Sequence, residues 1–167
     1  MSKRTVVGVF RSRDRAERAV RELRDRGFQD NEISIVARDE GRGQQGDATT
    51  MGTLTQDLGE GVSAGGAIGG LAGLLAGAGA LAIPGLGPII AAGPIAGALS
   101  GAATGGIAGG LLDFGIPEER GRQFENEVRQ GAILALVETG EQKAGEAMRI
   151  MKDNGAEEVE ARRSRRS

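Results

Sequence analysis

The 167-residue chain changes its hydrophobic pattern three times. Thr5–Phe10 (TVVGVF) is a short apolar, β-branched run, which predicts a buried strand. Asp14 followed by Glu17 has the D-x-x-E form of a helix start, and Ala16, Ala19, Val20 and Leu23 then recur on one helical face. Gly27 is the expected stop. Ile33–Ala37 (ISIVA) predicts a second strand. Residues 1–38 thus read as a β-α-β unit. Residues 39–60 are mostly polar, rich in glycine and without periodicity, and predict a flexible linker.

Near the C-terminus the scheme returns. Ala132–Val137 (AILALV) predicts a strand, Thr139 and Gln142 a T-x-x-Q helix start, and Gly155 a stop. Ala144, Ala147, Met148 and Met151 line the helical face, and Glu158–Ala161 predicts a short closing strand. A shift of 128 positions lays Ala16, Ala19, Val20, Leu23 and Gly27 onto Ala144, Ala147, Met148, Met151 and Gly155. Two such units, 1–38 and 132–161, predict an α+β, ferredoxin-like βαβ–βαβ domain split by an insertion. A connecting helix, Pro117–Gln130, occupies most of 113–131, with Pro at its first position and Phe124 and Val128 four apart. The tail 162–167 (RRSRRS) is basic and expected to be disordered.

The insertion, 61–112, contains no charged residue and holds 17 of the chain's 30 glycines. Gly61, Gly65, Gly69, Gly73 and Gly77 are spaced by four, as are Gly93, Gly97, Gly101, Gly105 and Gly109. Residues four apart share a helix face, and a ridge without side chains lets a second backbone approach closely. Pro84, Gly85, Gly87 and Pro88 cannot continue a helix and predict the turn between two limbs. The expectation is a glycine-zipper α-helical hairpin. In water each interior glycine costs about 1 kcal/mol relative to alanine, so a bilayer or a packed assembly must offset the set. Val62–Ile83 and Ile89–Leu112 would be long enough, at 1.5 Å per residue, for a hydrocarbon core of about 30 Å. Against a span, the flanks carry Asp57, Glu60, Asp113, Glu118 and Glu119 rather than an aromatic belt or a Lys/Arg cluster.

Composition narrows the chemistry. The chain has no His, Cys, Trp or Tyr. That removes thiolate and imidazole nucleophiles and bases, disulfides, and Cys- or His-based metal sites. With 21 Lys+Arg against 23 Asp+Glu and four Phe, neither a general nucleic-acid surface nor a base-stacking platform is expected. Gly77–Ala82 fits G-x-G-x-x-A, but no predicted strand precedes it and no acidic residue follows about 20 positions on. Asp113-Phe114-Gly115 occurs without any other kinase element and reads as the exit from the hairpin. The acid pairs Asp57/Glu60 and Glu118/Glu119 read as helix N-terminal charge. No catalytic, metal or cofactor residue stands out.

The stretch TVVGVFRSRDRAERAVRELRDRGFQDNEISIV resembles the N-terminal unit of bacterial general stress proteins, the YflT-like, heat-induced stress protein family. The insertion with LLDFGIPEERGRQFENEVRQGAILALVE resembles small bacterial proteins, often called membrane proteins, that carry a glycine-rich hairpin followed by an acidic-aromatic-Gly-Ile motif, here Asp113–Ile116. The resemblance implies a stress-linked, non-enzymatic protein and supplies no catalytic residue.

The expected function is therefore a general stress protein that associates with the cytoplasmic membrane, or self-assembles, through the zipper, its α+β domain in the cytoplasm. The expected partners are other copies of the chain and the lipid bilayer, with no nucleic acid, cofactor or small-molecule substrate. Two alternatives stand beside it: a soluble homo-oligomer with the hairpins as its buried core, and a small-ligand sensor using the sheet.

Overall fold

The computed structural model describes residues 2–38, 79–83, 87–101 and 106–166. Six strands form one sheet: β1 (Lys3–Phe10), β2 (Ile33–Arg38), β3 (Gly79–Ile83), β4 (Gly87–Ala92), β5 (Ile133–Gly140) and β6 (Glu157–Arg163). Their order is β3-β4-β2-β5-β1-β6, and every neighbouring pair is antiparallel. The helices are α1 (Arg13–Asp25), α2 (Pro94–Gly101), α3 (Gly106–Leu112), α4 (Glu118–Arg129) and α5 (Glu141–Asp153). The class is α+β. The two β-α-β units interleave, with β5 between β1 and β2, and β1 between β5 and β6.

Both faces of the sheet are covered, so TVVGVF and AILALV read as continuous apolar runs rather than as alternations. Odd and even positions still part company. Val6, Phe10, Ile33, Ile35, Ala135 and Val137 pack with α1 and α5 through Val20, Leu23, Ala147 and Met151. Val7, Val9, Val36, Leu134 and Leu136 pack on the opposite side with Ile95, Ile107, Leu111, Phe114 and Phe124 from the α2–α4 layer.

The internal repeat is geometrically close. The bounds of α1, shifted by 128, are those of α5. Gly27 and Gly155 end the two helices with φ of 87° and 89°. Each stop is closed by the same pair of bonds. Gly27 N–H and Phe28 N–H donate to the carbonyls of Arg24 and Leu23, and Gly155 N–H and Ala156 N–H to those of Lys152 and Met151. This is the Schellman arrangement, in which a left-handed residue satisfies the last carbonyls.

Several expectations are corrected. Thr139 does not cap α5. It is a buried residue of β5, its hydroxyl donates to Glu32 Oε1 at 2.9 Å, and Gly140 takes the cap position. Pro117 caps α4 from outside rather than opening it. The tail is ordered as far as Arg166. β6 runs to Arg163, Ser164 N–H extends the ladder to the Lys3 carbonyl and Arg165 N–H reaches the Asp113 carbonyl. Arg166 lies over the Phe114 ring, 5.0 Å from its centre.

The largest correction concerns the insertion. Residues 79–83 and 87–92 are paired strands, with Leu81 opposite Ile89 and Ala80 opposite Ile90. The second limb is therefore not one helix from 89 to 112, but β4, α2 and α3 in succession. The physical reason lies in β2. Its outer edge needs a hydrogen-bonding partner, and β4 supplies one from Ile35 to Arg38. Ile95, Leu99, Ile107 and Leu111 of this limb are buried against the sheet rather than turned outward to lipid or another subunit.

Candidate functional site

The predicted glycines and turn residues scatter in the fold. Gly61, Gly65, Gly69, Gly73, Gly77, Pro84, Gly85 and Gly105 lie outside the described residues. Gly87 and Pro88 begin β4. Gly97 is exposed on α2 and a Cβ there would meet nothing within 4 Å. Gly101 ends α2 and Gly109 is half-buried in α3. Gly93 acts as a hinge from β4 into α2. Its φ is 85°, and an added Cβ would stand 2.1 Å from the Ile33 carbonyl oxygen. Ser34, across that approach, accepts the Ile95 N–H at 3.2 Å and so satisfies one of the free donors of α2.

Close packing across glycine does occur, but between helices of one chain and at other positions. A Cβ on Gly110 would come 2.6 Å from Leu99 Cδ2, and one on Gly121 would come 2.9 Å from Ala108 Cα. Glycine thus lets α3 press against α2 on one side and α4 on the other. Spacing by four singled out Gly109 rather than its neighbour Gly110, because helix rotation is set by the burial of Ile107 and Leu111. Glu125 completes the contact by accepting the Ala108 N–H at 3.2 Å.

The surface feature this produces is a separation of charge. The uncharged stretch 61–112 contributes β3, β4, α2 and α3. They lie together, the two strands at one edge of the sheet and the helices against one of its faces. β3 has one strand neighbour among the described residues, and its register with β4 runs from Gly79 to Ile83 without a bulge.

The other edge is armoured. β6 has five charged residues in its sequence EEVEARR. Its pairing with β1 slips between Val7 and Val9, where Glu158 has a φ of 52°. Arg120 reaches Glu158 at 3.2 Å and Glu160 at 3.1 Å. Arg11 joins Glu157 at 3.2 Å and Glu127 at 2.5 Å. Its guanidinium is held charged first by the hydrogen bond to Glu157. Bulges, charge and short paired segments are the standard means of keeping a sheet edge from adding a strand.

Little in the described residues is arranged for bond chemistry. No three acidic side chains converge as a cation site there. Thr5 Oγ1 is buried without a hydrogen-bond partner among those residues. No helix among them is long and apolar enough to cross a membrane.

An α+β module with an uncharged edge and a charged edge is thus the class that fold and surface define. Residues 5–83 match the family described as the heat induced stress protein YflT domain. No curated protein and no solved structure matches the chain. The matched segment supplies β1, β2 and β3. In the sheet none of these three is bonded to another, because β4 and β5 come between them. The matched family segment is therefore completed by strands that follow it in the chain.

Proposed function

We propose that this is a non-enzymatic stress-response protein that works by self-association, with its uncharged side as the contact between copies. One observation carries the reading: charge is excluded from β3, β4, α2 and α3, which adjoin one another, while β6 at the opposite edge is charged, bulged and ion-paired. A strand edge without charge or bulge is one that a second strand can join. The family match supports the stress-related role. The fold reading that accompanies it is a ferredoxin-like domain split by an insertion. The order β2-β5-β1-β6 and the 128-residue repeat support it.

Of the two membrane-linked expectations, the spanning hairpin is the weaker. Residues 79–83 belong to β3. They leave Val62–Ala78 of the first limb, which as a continuous helix would reach about 26 Å, short of a core of about 30 Å. A soluble cytoplasmic assembly suits the cysteine-free sequence. The test is expression without detergent, fractionation, and mass measurement by light scattering. A discrete soluble particle of two or more chains is the expected result. A monomer at every concentration would overturn self-association, and recovery only from the membrane pellet with detergent would replace it with the membrane reading.

A further inference from the structure

We infer that two copies of this chain pair through β3, joining their sheets into one antiparallel sheet across a two-fold axis at Leu81. The inference deepens the self-association reading and rests on it. β3 stands at the edge with one strand neighbour among the described residues, and the whole sheet is antiparallel. Its side away from β4, open among the described residues, would present backbone N–H and C=O groups in the regular order an added strand requires.

Occupancy by a second copy follows from the sequence of the strand. A strand that pairs with itself in antiparallel fashion is read against its own reverse. The five residues Gly79-Ala80-Leu81-Ala82-Ile83 are nearly symmetric about their centre. An axis at residue 81 sets Ala80 opposite Ala82 of the second copy, Leu81 opposite itself and Gly79 opposite Ile83. Such an interface is isologous and closes at two chains. Nothing in it sets like charges opposite one another. The neighbouring β4 carries no charge either.

The absence of cysteine makes a direct test clean. Directly opposed residues in an antiparallel pair have Cα atoms about 4.5–5.5 Å apart, within the range a disulfide spans. Leu81→Cys in the full chain should give a covalent dimer on mild oxidation. Gly145→Cys, on open surface of α5, should remain monomeric on a non-reducing gel. As an independent measurement, Ala82→Lys should weaken dimerisation at least about tenfold by light scattering, with an unchanged circular dichroism spectrum. An assembly that persists with no cross-link at 81 and no response to Ala82→Lys would overturn the β3 pairing yet leave self-association standing. A wild-type chain that is monomeric throughout would overturn both. Protection of the β3 edge by residues 39–78 of the same chain would appear as that monomer, with Leu81→Cys unlinked.

Discussion

At one edge of the sheet β6 carries five charges in seven residues, and at the other β3 carries none in five. Both are short antiparallel strands with one strand neighbour among the described residues, so the number of neighbouring strands does not distinguish them. Their surroundings do. Beside β6, Arg11 and Arg120 hold three glutamates of the strand, and a bulge twists the ladder opposite Gly8. Beside β3 the pairing is regular and the nearest elements are uncharged. The same sheet therefore ends, among the described residues, once in a charged, bulged margin and once in an uncharged, regular one.

The comparison can be broken most severely at the glycines that fasten each side. Gly115 has a φ of 82°, and a Cβ there would lie 1.9 Å from the Arg163 carbonyl oxygen, at the end of β6. Gly93 plays the matching part against Ile33 in β2, beside β4. Gly115→Ala and Gly93→Ala should each cost about 3 kcal/mol or more, from backbone strain with an atomic clash, read by chemical denaturation. Ordinary stability after either change would show that these approaches are not fixed. Next in size is Leu111→Ala. Leu111 is fully buried between α3 and the sheet, and its truncation should cost about 2–5 kcal/mol. If α2 and α3 were a detachable limb, the loss would be much smaller and the rest of the melt unchanged.

The charged edge should respond more weakly. Arg120→Ala removes two partly exposed ion pairs and a contact over the Phe124 ring at 4.8 Å. A loss of about 1 kcal/mol is expected, reduced in high salt. The mass of the assembly should not change, because the proposed β3 pairing does not involve β6. The smallest effect concerns Glu141, whose carboxyl is held below its usual value, chiefly by the hydrogen bond from Arg4. A lowered folded-state value favours folding above the ordinary carboxylate range, and the benefit disappears as pH falls through the folded value. An NMR titration of Arg4→Ala should therefore show the Glu141 midpoint moving up toward that of a free glutamate.

Much of this architecture was legible in residue order. Thr5–Phe10, Ile33–Ala37 and Ala132–Val137 announced strands because β-branched and apolar residues cluster there. The two repeat helices announced themselves through four apolar positions and a glycine stop. These signals survive because local geometry and burial favour the same element. Residues 79–83 and 87–92 depart from their periodicity because there they do not. Small residues spaced by four fit a zipper helix, yet Gly79–Ile83 and Gly87–Ala92 are strands, and β-pairing with β2 outweighs the local periodicity. The close-approach glycines Gly110 and Gly121 were hidden for a related reason, since their importance depends on which helix lies across them.

The sequence by itself determined the materials: an uncharged segment, two β-α-β units related by 128 positions, and no thiol or imidazole side chain. The tertiary structure alone decided how those materials are placed. Strand order sent β3 to one margin and β6 to the other. Residues far apart in the chain, such as Arg120 and Glu160 or Gly115 and Arg163, became neighbours only after the sheet closed. Composition is local to the chain, whereas an edge exists only once every other strand has found its partner.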